Sequence, residues 1–322
     1  MAHELFINQE DKASMAYVGA TPWHGLGQQL TENSPIEVWA REAGMDYYID
    51  AAQVHYPAPG GQEMLQFAGK KVLFRNDTGV ALSVVSDRYK VVQPLDVLEF
   101  FRNLTEQHGW QLETAGVLYQ GQKYWALAKT GAEVRIMGQD LLKGYVLLAT
   151  SCDGTLRTLA RRTSIRVVCN NTLSYASSNG EPEIRVSHAS NFDATAVQNE
   201  LGIGDAWEDF ARKASELALR KVSNQEAVNY VLSLFGDKMK PLEQQASINT
   251  IAQVLKLFDG GGKGSDLQSA RGTAWGLVNC VTEYLDHYKG RDQSRRLDNA
   301  WFGKGSDLKV QAYNTALELI AA

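Results

Sequence analysis

Four arginines, Arg157, Arg161, Arg162 and Arg166, fall within residues 155–166 of a chain whose formal net charge is −5. Local charge here opposes the global balance. The residues between them (Leu156, Thr158, Leu159, Thr163, Ile165) are β-branched or apolar, which reads as a strand rather than a loose basic tail. A rigid row of guanidinium groups suits phosphate, because each planar fork donates two parallel hydrogen bonds and stays charged at any working pH. The same pattern also fits a strand face of salt-bridged arginines.

A second phosphate-competent feature is an internal repeat: Gly-Lys-Gly-Ser-Asp-Leu stands at 262–267 and again at 303–308. Both copies read as loop-to-helix junctions with Ser265 or Ser306 as N-cap. Lys263 and Lys304 would then lie beside free helix N–H groups and a partial positive charge. The alternative is a flexible loop and a cap. It is not a nucleotide P-loop, since Gly264 separates Lys263 from Ser265.

Catalytic chemistry is sparse. The six histidines (His3, His24, His55, His108, His188, His287) show no metal-ligand spacing, and Cys152, Cys169 and Cys280 match neither a zinc site nor a disulfide framework. Glu283 and Asp286 share a helical face and form a candidate carboxylate pair, and Asp153 is a further candidate acid, but helices carry such pairs routinely. Trp275, Tyr284, Tyr288, Trp301 and Phe302 surround the cations Lys289, Arg291, Arg295, Arg296 and Lys304, a mixture that single-strand binders use. Trp275, Val278, Val281 and Leu285 form one stripe and read as core. These residues favour a binding protein over an enzyme, with no catalytic residue, no metal and no cofactor expected.

The elements that must hold these groups follow from periodicity. At 322 residues and 44% hydrophobic content the chain buries a substantial core and is expected to form two parts. Residues 1–60 read as an irregular N-terminal segment containing PWHGLG at 22–27, and a helix at 35–44 started by Ser34 and stopped by Gly44. Strands are expected at 72–75, 81–85 and 89–92, then a helix from Pro94 to Gly109. Hairpins follow at 112–129 and at 144–162, the second turning on Asp153-Gly154, with a short helix after Asn170 and a strand at 184–187. From 193 the period changes to 3.6, giving helices at 193–201, 205–220, 223–236, 241–258, 265–289 and 307–321. The fold class is therefore α+β: a mixed antiparallel sheet with helices (61–190, the nucleic-acid-binding core) and an all-helical part (191–322). The N-terminus lacks a secretory pattern and no run reaches the ~18 apolar residues of a membrane span, so a cytoplasmic protein is expected.

PWHGLG, SDRYKVVQP at 86–94, RTSIRVVCNNTLSYA at 162–176, VSHASN at 186–191, ARGTAWGLVNCVTEYLDH at 270–287 and RLDNAWFGKGSDLKVQA together resemble the phage/plasmid-related proteins of domain of unknown function 932. That resemblance implies a mobile-element setting and supplies no catalytic residues. The order of hairpin, arginine-rich strand and helix is similar to the β-β-β-α core of phage single-strand annealing proteins of the RecT and Red-beta kind. This likeness implies a strand-annealing protein that binds single-stranded DNA as a homo-oligomer, with Arg157, Arg161, Arg162 and Arg166 along the phosphate path, Lys143 beside them, and Lys263 and Lys304 as secondary anchors. The alternative is an interaction protein that inhibits a host defence or replication factor.

Overall fold

The computed structural model describes residues 12–19, 26–61, 63–175, 183–201, 203–236, 248–290 and 293–321. The chain is mixed α+β, with sheets in its N-terminal and middle parts and a helical C-terminal region. It forms two compact units that interleave in sequence. Unit 1 takes Met1–Gly131, Val146–Arg161 and Glu183–Leu201; unit 2 takes Ala132–Tyr145, Arg162–Pro182 and Gly202–Ala322.

In chain order the elements are β1 (Met15–Val18), β2 (Gln28–Leu30), α1 (Ile36–Glu42), β3 (Ile49–Pro57), β4 (Met64–Arg75), β5 (Ala81–Ser86), α2 (Pro94–His108), β6 (Gln111–Leu118), β7 (Lys123–Ile136), β8 (Asp140–Ser151) and β9 (Thr158–Arg166). They continue with β10 (Asn171–Ser174), β11 (Glu183–Val186), α3 (Ala194–Leu201), α4 (Ile203–Leu219), α5 (Asn224–Phe235), α6 (Ile248–Lys256), α7 (Ala274–Glu283), α8 (Gln293–Trp301) and α9 (Lys304–Ala321).

Within unit 1, β3, β4 and β5 form one sheet, and the order β9-β8-β7-β6-β1-β2 forms another, with β11 antiparallel to the first half of β9. Helix α2 is specified locally. Pro94 supplies a preset first-turn φ, the Asp96 carboxylate accepts the Gln93 N–H at 2.8 Å, and Gly109 closes the helix at φ 68°. Its buried face, Val97, Leu98, Phe100 and Phe101, joins the core of this unit.

Unit 2 holds the end of β7 (132–136), the start of β8 (140–145) and the end of β9 (162–166), and β10 pairs antiparallel with β9 from Asn171 opposite Arg166 to Ser174 opposite Thr163. The core here is aromatic. Tyr175 stacks on Phe210 at 4.6 Å, and Phe210 also meets Trp207, Trp275 and Tyr313. The expected stripe of Trp275, Val278, Val281 and Leu285 lies in this core. Ser223 and Glu226 cap α5 reciprocally, and Thr273 caps α7 by accepting the Gly276 N–H at 3.0 Å.

Several local expectations need correction. Residues 89–92 are not a strand, because the Tyr89 ring stacks on His188 and the Lys90 N–H goes to the His188 carbonyl. The segment after Asn170 is the strand β10. Asn170 adopts φ 56°, which turns the chain back along β9 instead of starting a helix. Residues 265–273 form turns, so the long helix begins only at Ala274. Pro35, not Ser34, precedes α1, and the Ser34 hydroxyl bonds the Thr31 carbonyl. Helix α8 was not foreseen. The expectations at 22–25, 176–182 and 241–247 lie outside the described residues.

Candidate nucleic-acid interface

Strand β9 does not present its arginines as a row open to solvent. Arg161, Arg162 and Arg166 are 4%, 3% and 2% exposed, while Arg157, just before the strand, is exposed. Arg161, in unit 1, forms an ion pair with Glu183 on the adjoining β11. Burial pushes the Tyr175 phenol well up despite the nearby charge of Arg162, in unit 2, and burial pulls the Arg162 guanidinium below the usual arginine value.

Arg166 has the most elaborate surroundings. Its Nε donates to Asp140 Oδ1 at 2.7 Å, and Asp140 also accepts from Ser269 Oγ at 2.8 Å and Trp275 Nε1 at 3.1 Å. Burial opposes the guanidinium charge, but the bonds to Asp140 carry its pKa above the ordinary arginine value. The other end of the fork reaches the first repeat. Nη1 donates to the Lys263 carbonyl at 3.2 Å and Nη2 to the Gly264 carbonyl at 3.0 Å. Glu283 in turn accepts the Lys263 N–H at 3.0 Å.

Two glycines make this approach possible. A Cβ on Gly262 would stand 2.9 Å from Glu283 Oε2, and one on Gly264, at φ 68°, would stand 2.7 Å from Val168 Cγ1. Ser265 Oγ donates to the Gly262 carbonyl at 2.6 Å instead of capping a helix, which corrects the junction expected for this copy. The Lys263 side chain is left exposed, with Val167 and Val168 exposed beside the loop.

The second copy does begin a helix, since α9 starts at Lys304, whose side chain is exposed. Ser306 stands three residues past Gly303, the residue before the helix, and is buried in the first turn. Lys309, the residue after this copy, is 2% exposed and donates to Asp286 Oδ1 at 2.7 Å and Thr172 Oγ1 at 2.6 Å. The π-helical turn Tyr284–Tyr288 ends α7. Lys263 and Lys309 both bear on the charge of His287, and Lys304 bears on Lys289. Burial, and then the Lys304 charge, hold the half-buried Lys289 ammonium below its ordinary value. Lys143 on β8 is half-exposed.

Other candidate chemistry resolves into structural partners. Glu283 and Asp286 bond separate groups, Lys263 N–H and the Thr172–Lys309 pair, and do not share a proton. Asp153 accepts from Thr155 in the turn. Burial pushes the Cys169 thiol up to about 11 and Cys152 to about 12, and lifts Cys280 further, so all three are protonated near neutrality and poor nucleophiles. His287, half-buried, meets the Cys169 carbonyl at 2.9 Å, and burial lowers its pKa. Trp275 and Tyr284 belong with the core, while Arg291 and the Arg295 side chain lie outside the description. Among the described residues, no group of three or more His, Cys, Asp or Glu could hold a metal ion. No described helix is long and apolar enough to cross a membrane.

The network's key members, Asp140, Ser269 and Lys309, were not singled out from sequence, and no local pattern distinguishes them. One property of the network is testable without a ligand. Burial raises the Glu283 pKa against the lowering effects of the Lys263 N–H, Lys263 and Arg166. A carboxyl raised on folding binds its proton more tightly when folded, so stability falls as pH rises from the unfolded value, about 4.3, through the folded one. Glu283→Gln removes that loss. Its melting temperature relative to wild type should therefore climb between pH 4 and pH 8, and a pH-independent difference refutes the assignment.

The family model described as Domain of unknown function (DUF932) matches residues 81–301. No curated protein and no solved structure matches the chain.

Proposed function

The chain belongs to the family Domain of unknown function (DUF932), a description that carries no activity, and from the chain's own residues we propose a single-stranded DNA-binding protein. The observation that carries this reading is that one lysine of each Gly-Lys-Gly-Ser-Asp-Leu copy bears on the end of α7 in unit 2, Lys263 on His287 and Lys304 on Lys289. Lys263 and Lys304 are exposed there, and Lys289 is a half-buried cation beside Lys304. Cations held close together repel one another, and a polyanion threaded past them relieves that repulsion. Tyr288, Val167 and Val168, each roughly half-exposed, offer aromatic and apolar surface for bases without sequence preference. Lys143 extends the cationic surface of unit 2, and Arg157 is a separate contact on unit 1.

The finer proposal is strand annealing by a homo-oligomer within a phage or plasmid. The neighbouring strands β7, β8 and β9 are the part of a β-β-β-α-like core that supports this, β10 and β11 preceding the next helix, and the resemblance supplies the setting. One observation favours the competing reading, a protein-interaction role. In the three-stranded sheet of unit 1, Tyr56, Met64, Phe67 and Val84 are all exposed, as is Tyr48 just before β3.

Titration of a labelled single-stranded oligonucleotide at several salt concentrations tests the proposal. Each phosphate contact contributes about −0.7 to the slope of log affinity against log salt. Replacing Lys263 and Lys304 together by Ala should flatten that slope by about 1.4, and Arg157→Ala by about 0.7. Absence of binding at low salt sinks the reading and moves the weight to a protein partner.

A further inference from the structure

We propose that Arg166 and Glu283 are positioning residues that hold the Lys263–Gly264 peptides in place so that the Lys263 ammonium is presented to a phosphate. This inference rests on the DNA-binding reading and assigns new roles within the same site. Arg166, expected from sequence to touch DNA itself, is 2% exposed and acts through the loop. Two buried side chains, one a donor and one an acceptor, grip the same stretch of backbone. The guanidinium donates to the Lys263 and Gly264 carbonyls, and the carboxyl of Glu283 accepts the Lys263 N–H.

The grip has its own support. Asp140 fixes the guanidinium through Nε and is in turn held by Ser269 and Trp275, so the fork cannot rotate away without breaking a buried pair. Glycine at 262 gives Glu283 room, and glycine at 264 adopts φ 68° against Val168. A sequence with four glycines between 260 and 264 would otherwise be among the most mobile in the chain. Ordering the loop before DNA arrives removes part of the entropy that binding would have to supply. The same sequence at 303–308 is held differently: there the lysine opens α9, and Asn299 Oδ1 accepts the Gly305 N–H at 3.2 Å.

The test pairs a loop readout with a binding readout on the full chain. Hydrogen exchange of 257–267 and tryptic cleavage after Lys263 report the loop, and anisotropy of a labelled single-stranded oligonucleotide reports affinity. Glu283→Ala should accelerate both loop reactions and weaken affinity, each by about tenfold, equivalent to losing one well-placed contact. Glu283→Gln keeps an acceptor oxygen and should stay near wild type in both. Gly264→Ala displaces the loop without removing a charge, and should weaken binding in the same way if Glu283→Ala does not fold. The clamp is overturned if the loop stays protected in Glu283→Ala and Gly264→Ala, if Glu283→Gln is as impaired as Glu283→Ala, or if the loop loosens while affinity is unchanged. Failure of the wild-type chain to bind overturns the DNA reading instead, and loop protection then decides the clamp alone.

Discussion

Asp140→Ala should destabilise the protein by about 3–5 kcal/mol, the range for breaking a buried ion pair by removing one partner. The side chains of Asp140 and Arg166 are 1% and 3% exposed, so neither charge has water to fall back on. Removing the carboxylate leaves a buried guanidinium facing the Lys263 and Gly264 carbonyls and the Cys169 sulfur, and it also strips the acceptor from Ser269 Oγ and Trp275 Nε1. Equilibrium urea unfolding measures the loss, and a value under about 1 kcal/mol would place the pair in the category of weak surface bridges. Replacing both partners, Asp140→Leu with Arg166→Met, should recover much of the stability, because apolar groups of similar volume often serve as well as a buried pair. The recovered protein should still bind oligonucleotide less well than wild type, since the loop at Lys263 has lost its donor. Stability and binding thus separate in one variant.

The contrast between the expected and observed arginines shows where sequence reasoning stops. Strand β9 was legible, as were α2, α5 and the alternating strands β6 and β7, because caps, turn residues and periodicity are local signals. Which face of a strand is covered is not local. Both faces of β9 are buried, so Arg161 and Arg162, pointing opposite ways, are both enclosed. Their compensation is equally remote: Glu183 is 22 residues from Arg161, and Asp140 is 26 from Arg166. The two repeat copies make the same point. Identical residues form a clamped turn at 262–267 and a helix start at 303–308, because only the first lies against Arg166 and Glu283. Trp275 was rightly placed in the core, but its indole N–H also completes the Asp140 site, a role its helical spacing does not reveal.

Lys309→Met is the second substitution with a large expected cost, about 3 kcal/mol, at the low end for a broken buried pair. Lys309 and Asp286 expose 3% and 6% of their side chains, and their 2.7 Å contact joins α9 to the turn that ends α7. Thr172 ties β10 into the same contact, offering its N–H to Asp286 at 2.8 Å and its hydroxyl oxygen to Lys309. Methionine fills a similar volume without the charge, so the loss is electrostatic rather than a cavity. The Thr172 N–H remains as a donor to the stranded carboxylate, which is why the cost falls below that at Asp140. Arg212→Ala supplies the internal comparison. Its pairs with Asp209 and Glu216 lie on an exposed helix face, the arginine side chain being 58% exposed, and its loss should cost under about 1 kcal/mol. A double-mutant cycle with Asp286→Asn then reads the pair itself. Coupling of about 1–3 kcal/mol is expected for residues in one hydrogen-bonded network, and additive single costs would show that Lys309 stabilises α9 through some other contact.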